Sequence, residues 1–297
     1  MVSPGILLVD KPAGLTSHDV VARTRRAFGT RKVGHAGTLD PMATGLLVIG
    51  IEGATRLLTY VVGADKTYEA TIRLGQTTDT DDADGEIVER ADSAAMASVS
   101  AEGIAAGVAD LTGAISQVPS SVSAIKVDGR RAYDRVRAGE EVVLAARDVV
   151  VSRFDVISDR EGDGVRDLDV IVDCSSGTYI RSLARDLGAA LGVGGHLTAL
   201  RRTHVGPFSV QGAVTVEELE GAATLTPADA AARILQPLPV STEEARDLRH
   251  GKRLAGQASR VTHAIAAAID EQGDLVGIVE KRGADLKSAM NMPEVSR

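Results

Sequence analysis

Apolar runs and alternations divide the chain into elements. Ile6 to Val9 is a short apolar run closed by Asp10-Lys11-Pro12, which predicts a strand ending in a turn. Thr16 or Ser17 can N-cap a helix reaching about Phe28, with Val20, Val21, Thr24, Ala27 and Phe28 on its inner face. Leu46 to Ile51 reads as a buried strand. From Lys66 to Leu74 the pattern becomes an alternation, with Tyr68, Ala70, Ile72 and Leu74 on one face of a half-buried strand. Ala94 to Leu111 predicts a helix. Val149 to Val156 and Val165 to Val172 predict two strands joined by the charged turn DREGDG. Between Thr178 and Leu191, apolar residues Ile180, Leu183, Ala184, Leu187 and Leu191 recur at helical spacing.

Strands and helices mix without a regular βαβ alternation, so the expected class is α+β with a mixed, largely antiparallel sheet. At Gln236-Pro237-Leu238-Pro239 the composition shifts. The prolines break the preceding helix and suggest a linker, giving a large domain over 1–236 and a small domain of short strands over 237–297.

Composition narrows the classes. Hydrophobic residues make up 44% of 297, enough for a sizeable core, and the net charge of -8 gives no global sign of a polyanionic partner. The single Cys174 excludes an internal disulfide, fits a reducing cytosol and leaves too few soft ligands for a structural zinc site. The N-terminal MVSPGILLVDKPAG lacks the charged region of a signal peptide, and no apolar stretch approaches the ~18 residues of a membrane span. These features together point to a cytoplasmic protein.

The segment GHAGTLDPMATGLL, 34 to 47, carries a single acid, Asp40, before Pro41. Asp-Pro is ordinary turn chemistry. Against that plain reading, Asp40 sits among small residues that let a bulky ligand approach, just before a buried strand. Arg23, Arg25, Arg26, Arg31 and Lys32 flank it, opposed only by Asp19. Three further segments mix aromatic and basic residues. In DKTYEA, Tyr68 lies on the apolar face of its strand; in CSSGTYIRSLARDLG, Tyr179 and Arg181 flank Ile180. KVDGRRAYDRVRAG gathers Lys126, Arg130, Arg131, Arg135 and Arg137 around Tyr133, which suits phosphate contacts. The acidic stretch TDTDDADG lacks the ligand spacing of a calcium loop and reads as a solvated turn.

DKPAGLTSHDVV, GHAGTLDPMATGLL, DKTYEA, LGQTTDTDDADGE, PSSVSAIKVDGRRAY, CSSGTYIRSLARDLG and ALRRTHVGPF occur in that order. Together they resemble the TruB family of bacterial tRNA pseudouridine synthases over roughly residues 5 to 235. The tail, with LPVSTEEARDLRHGKRL and LVGIVEKRG, is similar to a PUA RNA-binding domain. The resemblance implies a catalytic domain of pseudouridine-synthase type that converts uridine to pseudouridine at position 55, in the T-loop of tRNA, with no cofactor and no metal. It implies Asp40 as the catalytic carboxylate. Tyr68 would stack on the base, Tyr179 line the pocket, Arg181 pair with Asp40, and Leu200 form an apolar wall. The target must be flipped out of its loop, and His35 matches the position that inserts beside the vacated site. Lys126, Arg130, Arg131 and Arg202 would contact RNA, and the tail would grip the acceptor end through Arg246, Arg249, Lys252 and Arg253. The implied state is a monomer with no obligatory protein partner.

Overall fold

The computed structural model describes residues 2–120, 126, 127, 130, 131 and 144–293. The elements begin with β1 (Gly5–Lys11), α1 (Ser17–Ala27), β2 (Val33–His35), β3 (Thr44–Ile51), α2 (Leu58–Val62), β4 (Lys66–Leu74), β5 (Gln76–Thr78) and β6 (Ile87–Arg90). There follow α3 (Ser93–Ala97), α4 (Ala101–Asp110), β7 (Gly113–Gln117), β8 (Lys126–Val127), β9 (Arg130–Arg131), β10 (Arg147–Gly162), β11 (Val165–Cys174) and α5 (Ile180–Ala190). The last are β12 (Gly195–Val205), β13 (Phe208–Ser209), α6 (Pro227–Ile234), β14 (Gln236–Val240), α7 (Thr242–Arg249), β15 (Ile265–Asp270), β16 (Leu275–Arg282) and β17 (Asp285–Asn291). The chain forms two compact units, one of Met1–Asp40, Gly45–Gly63 and Val205–Arg297, the other of Pro41–Thr44 and Ala64–His204.

In the first unit β3 pairs antiparallel with β1 along one edge and β2 along the other. It is apolar without alternation because both of its faces are covered. Leu47, Ile49 and Ile51 pack with Leu7, Val9 and the Val20 and Val21 side chains of α1. Leu46 and Val48 point the other way, into a core completed by Ile6, Phe208, Ala230 and Ala231 of α6, and Ala267, Leu275 and Ile278. The C-terminal strands therefore share a core with the N-terminal ones.

Those C-terminal strands make a sheet in the order β14-β15-β16-β17. Its other face buries Leu238, Val240, Ala266 and Ala268 against Ala245 and Leu248 of α7. Gln236–Val240, expected as a linker, is thus a strand, paired parallel to β15. It tolerates proline because it is an edge strand. Pro237 and Pro239 are exposed and alternate with buried Leu238 and Val240.

The second unit holds a sheet ordered β12-β4-β11-β10-β7. β4 and β11 run antiparallel, with Tyr68 opposite Val172. β10 extends past the expected Val156 as far as Gly162, forming a long hairpin with β11 that takes up two register shifts. One face of β4 and β11 is buried through Tyr68, Ala70, Ile72, Leu168, Val170 and Val172. The other carries cross-strand polar pairs, among them Arg73 with Asp167 at 2.7 Å and Thr71 with Asp169 at 2.8 Å. The helix expected over 94–111 is two helices. Ser100 accepts a hydrogen bond from the Gly103 N–H and caps α4, ending the continuity with α3.

Candidate active site

The Asp40 loop is anchored from the start of α1. Lys11, fully buried, donates from Nζ to the Leu15 carbonyl at 2.7 Å and the Pro12 carbonyl at 3.0 Å, closing the turn between β1 and the helix. Thr16 and Asp19 then form a capping box. The next residue, Ser17, bonds to both polar groups of the Leu39 backbone. Beyond β2, the Ala36 N–H donates to the Val48 carbonyl at 2.9 Å, and Gly37 takes a φ of 94° that favours glycine. Ala36 and Leu39 are buried and Asp40 is half-buried. His35 lies edge-on to His18 with ring centroids 5.6 Å apart.

Tyr68, Tyr179, Arg181, Leu200 and Arg202 belong to the second unit. Arg181, at 3% exposure, emerges from the first turn of α5. Its guanidinium donates to the Thr80 carbonyl at 2.9 Å and to Ser120 Oγ at 3.3 Å, and stands 3.4 Å from the Asp82 carboxylate. This corrects the reading of TDTDDADG as a solvated turn. Asp82 is 4% exposed and also accepts hydrogen bonds from Thr80 Oγ1 and the Asp84 N–H. A buried guanidinium requires a counter-charge, and Asp82 supplies one from a loop about a hundred residues away in sequence. Asp81 beside it has a φ of 60°, and burial raises its carboxyl against the opposing pull of Ser120, Arg185 and Arg181.

Tyr179 is the N-cap residue of α5 and makes no side-chain cap. Gln117, at 2% exposure, instead holds its backbone from the end of β7: its Oε1 accepts from the Tyr179 N–H at 2.9 Å and its Nε2 donates to the Tyr179 carbonyl at 3.1 Å. Tyr68 is 8% exposed in the middle of β4. At the head of that strand Lys66 is 7% exposed, and burial together with the neighbouring Arg202 lowers its ammonium to about 8. Burial also pushes the adjacent Cys174 thiol up to about 11. Arg202 is 1% exposed and shares a face of β12 with Leu200.

A cavity of about 600 Å³ in this unit is lined by Leu200, but by none of Tyr68, Tyr179 and Arg181. Glu69, Thr71, Asp169 and Ile171 line it as well. Of the expected RNA-contacting residues, Lys126, Arg130 and Arg131 fall on the paired β8 and β9, with Lys126 opposite Arg131. Tyr133, Arg135 and Arg137 lie outside the described residues. In the tail, Arg246, Arg249, Lys252 and Arg253 each meet a carboxylate of their own unit.

Sequence reading missed Ser17, Gln117 and Asp82. Nothing local marks them, because each acquires its role from a partner 22 to about 100 residues away.

Comparison with known proteins gives a consistent picture. The model of the TruB family pseudouridylate synthase N-terminal domain matches residues 25–180. A tRNA pseudouridylate synthase B C-terminal domain model matches 181–243, and a tRNA pseudouridine synthase II C-terminal model matches 236–293. The chain is 60% identical over 296 residues to tRNA pseudouridine synthase B of Leifsonia xyli, covering 99% of this chain and 98% of that protein. It is 56% identical to tRNA pseudouridine synthase B of Paenarthrobacter aurescens, covering 96% and 94%. Among solved structures, a Cbf5–Nop10–Gar1 complex aligns with a TM-score of 0.69 at 25% identity, over 98% of this chain and 84% of that one. An H/ACA ribonucleoprotein bound to a substrate RNA aligns with the same TM-score at 24% identity, over 98% of this chain and 85% of that one. No helix among the described residues is long and apolar enough to cross a membrane.

Proposed function

The chain belongs to the TruB family of pseudouridylate synthases and isomerises uridine to pseudouridine in tRNA; from that premise we propose that Asp40 carries the chemistry, at position 55 in the T-loop. The bond between N1 and the ribose breaks, the base rotates, a bond forms from the ribose to C5, and the C5 proton departs. A carboxylate held against the ribose serves this sequence by attacking as a nucleophile or by removing a sugar proton. Tyr68 stacks on the base and Tyr179 lines the pocket. Leu200 supplies an apolar wall.

Arg181 holds the Asp40 carboxylate ionised in the reacting complex. It suits that role because its side chain is already oriented by Thr80, Ser120 and Asp82. His35 takes the place of the extruded nucleotide. Lys126, Arg130 and Arg131 bind the T-arm through phosphates, and Arg202 adds positive potential from within. The strands from residue 237 onward form a PUA-like domain that reaches the acceptor end, and the enzyme works as a cytoplasmic monomer.

The observation that supports Asp40 most directly is the anchoring of its loop. The half-buried acid directly follows buried Leu39, whose backbone is held by Ser17. The test uses unmodified tRNA tritiated at uridine C5. Wild type should release tritium, and Asp40→Asn should release none while still binding tRNA. Full activity in Asp40→Asn removes Asp40 from the mechanism, and free uracil as product indicates base cleavage without rejoining.

A further inference from the structure

Ser17 occupies the first turn of α1, where a serine would ordinarily serve the helix end. That task is already done. Thr16 is the N-cap, its Oγ1 accepts from the Asp19 N–H at 3.1 Å, and Asp19 Oδ2 accepts in return from the Thr16 N–H at 2.9 Å. The Ser17 hydroxyl turns away from the helix and is spent 22 residues further on. It accepts from the Leu39 N–H at 2.8 Å and donates to the Leu39 carbonyl at 3.2 Å, with Ser17 fully buried.

These two bonds grip the peptide groups on either side of Leu39. The second of those peptides is the one that contains the Asp40 nitrogen, so its plane sets where the Asp40 Cα begins. On the far side, Pro41 confines Asp40 to extended backbone. Leu39 is itself buried at 4% exposure, so the grip is not diluted by solvent. The acid is thus held at both ends: by covalent restriction after it, and by a through-space clamp before it.

We propose that Ser17 is a positioning residue for the pseudouridine reaction, holding Asp40 in its reactive placement through the Leu39 backbone. This rests on the assignment of the chemistry to Asp40. Ser17 touches neither the reacting atoms nor RNA in this role. Its removal therefore acts on the rate constant and not on substrate affinity. Misplacement of a reacting group by about an ångström costs on the order of a hundredfold in rate.

The experiment measures single-turnover pseudouridine formation and tRNA affinity for wild type, Ser17→Ala, Thr16→Ala and Asp40→Asn, with melting temperature as a control. Thr16→Ala removes the capping box of the same helix and leaves the Leu39 clamp in place. It is expected to lower melting temperature and keep the wild-type rate. Ser17→Ala is expected to lose roughly ten- to a hundredfold in rate with tRNA affinity within about threefold of wild type. If Ser17→Ala is unfolded at the assay temperature, the near-isosteric Ser17→Cys carries the comparison, since a thiol is only a weak donor and acceptor. A rate for the Ser17 variant no lower than that of Thr16→Ala overturns the proposal, as does a loss confined to tRNA affinity. Activity in Asp40→Asn overturns instead the assignment on which the proposal rests, so the two failures are told apart.

Discussion

Burial holds the Lys66 ammonium near 8, well below the 10.5 of a free lysine, first by desolvation and then by the neighbouring Arg202 charge. Between those two values the unfolded chain binds more protons than the folded one. Stability therefore rises with pH across that window, because deprotonation relieves the cost of a buried charge. Lys66→Met is expected to flatten the rise between pH 8 and pH 9.5, roughly the lower half of that window. Urea unfolding of the two proteins over this range checks it, and parallel pH dependences refute it. Arg181→Ala is expected to lower the single-turnover rate far more than tRNA affinity, because the guanidinium already has protein acceptors in Thr80 and Ser120 and is 3% exposed. A loss seen only in affinity counts against the proposed role of Arg181 in catalysis. At this scale the sequence was partly legible. The alternation placed Tyr68 on the buried face of its strand, whereas Asp82 looked like one more acid in a solvated loop until Arg181 was brought to it.

Helix α5 sits close to the start of β12 because Gly188 and Gly195 let it. A Cβ on Gly188 would lie 2.1 Å from the Gly194 carbonyl carbon and 2.2 Å from the Gly195 nitrogen, both backbone atoms that cannot turn aside. Gly188→Ala must therefore push α5 off the sheet. Overpacking of this kind costs roughly 1–3 kcal/mol or more. Since α5 starts at Ile180 and carries Arg181 in its first turn, the rate should fall along with stability. Thermal melting and turnover measured together check this, and an unchanged melting temperature contradicts the packing argument. Elements with a clear period were legible: the alternation of Tyr68 to Leu74 and the helical spacing of Ile180 to Leu187 both reappear in the structure. Two were not. The helix over 94–111 hid a break at Ser98 to Ser100, because a serine that caps one helix resembles a serine inside another. The prolines of Gln236–Val240 suggested a linker because a sequence alone does not show that a strand lies at a sheet edge.

The first unit is assembled from distant parts of the chain. Its core joins Ile6, Leu46 and Val48 to Phe208, Ala231, Leu275 and Ile278. A chain stopped after residue 235 would leave one side of that core to water. Uncovering several fully buried aliphatic side chains forfeits about 1.5–3 kcal/mol each, more than the margin of a typical domain. Such a truncation is expected to keep only the cooperative unfolding of the second unit by circular dichroism, and a transition of undiminished amplitude per residue at the wild-type temperature would show that the C-terminal strands are dispensable. The charge pattern belongs to this scale too. The chain is acidic at -8, yet many acids are engaged internally, as Asp167 is with Arg73, Asp159 with Arg166 and Asp270 with Arg249. Each such pair is neutral and leaves the net charge at -8, so what the surface offers an RNA depends on where the remaining charges are grouped.

The interleaving of the units also bears on how the protein is made. The second unit is nearly continuous, 64–204 with four residues from 41–44, so it can close as soon as it leaves the ribosome. The strands β1 and β3 emerge long before it, but the part of the core around Leu46 and Val48 that runs from Phe208 to Ile278 is not synthesised until after residue 205. At about 5–20 residues per second, those apolar strands wait on the order of ten seconds or longer for cover. During vectorial synthesis the half of the protein that carries Asp40 is the last to mature, and the period in which its apolar strands stand partly uncovered is set by the order of its segments along the message.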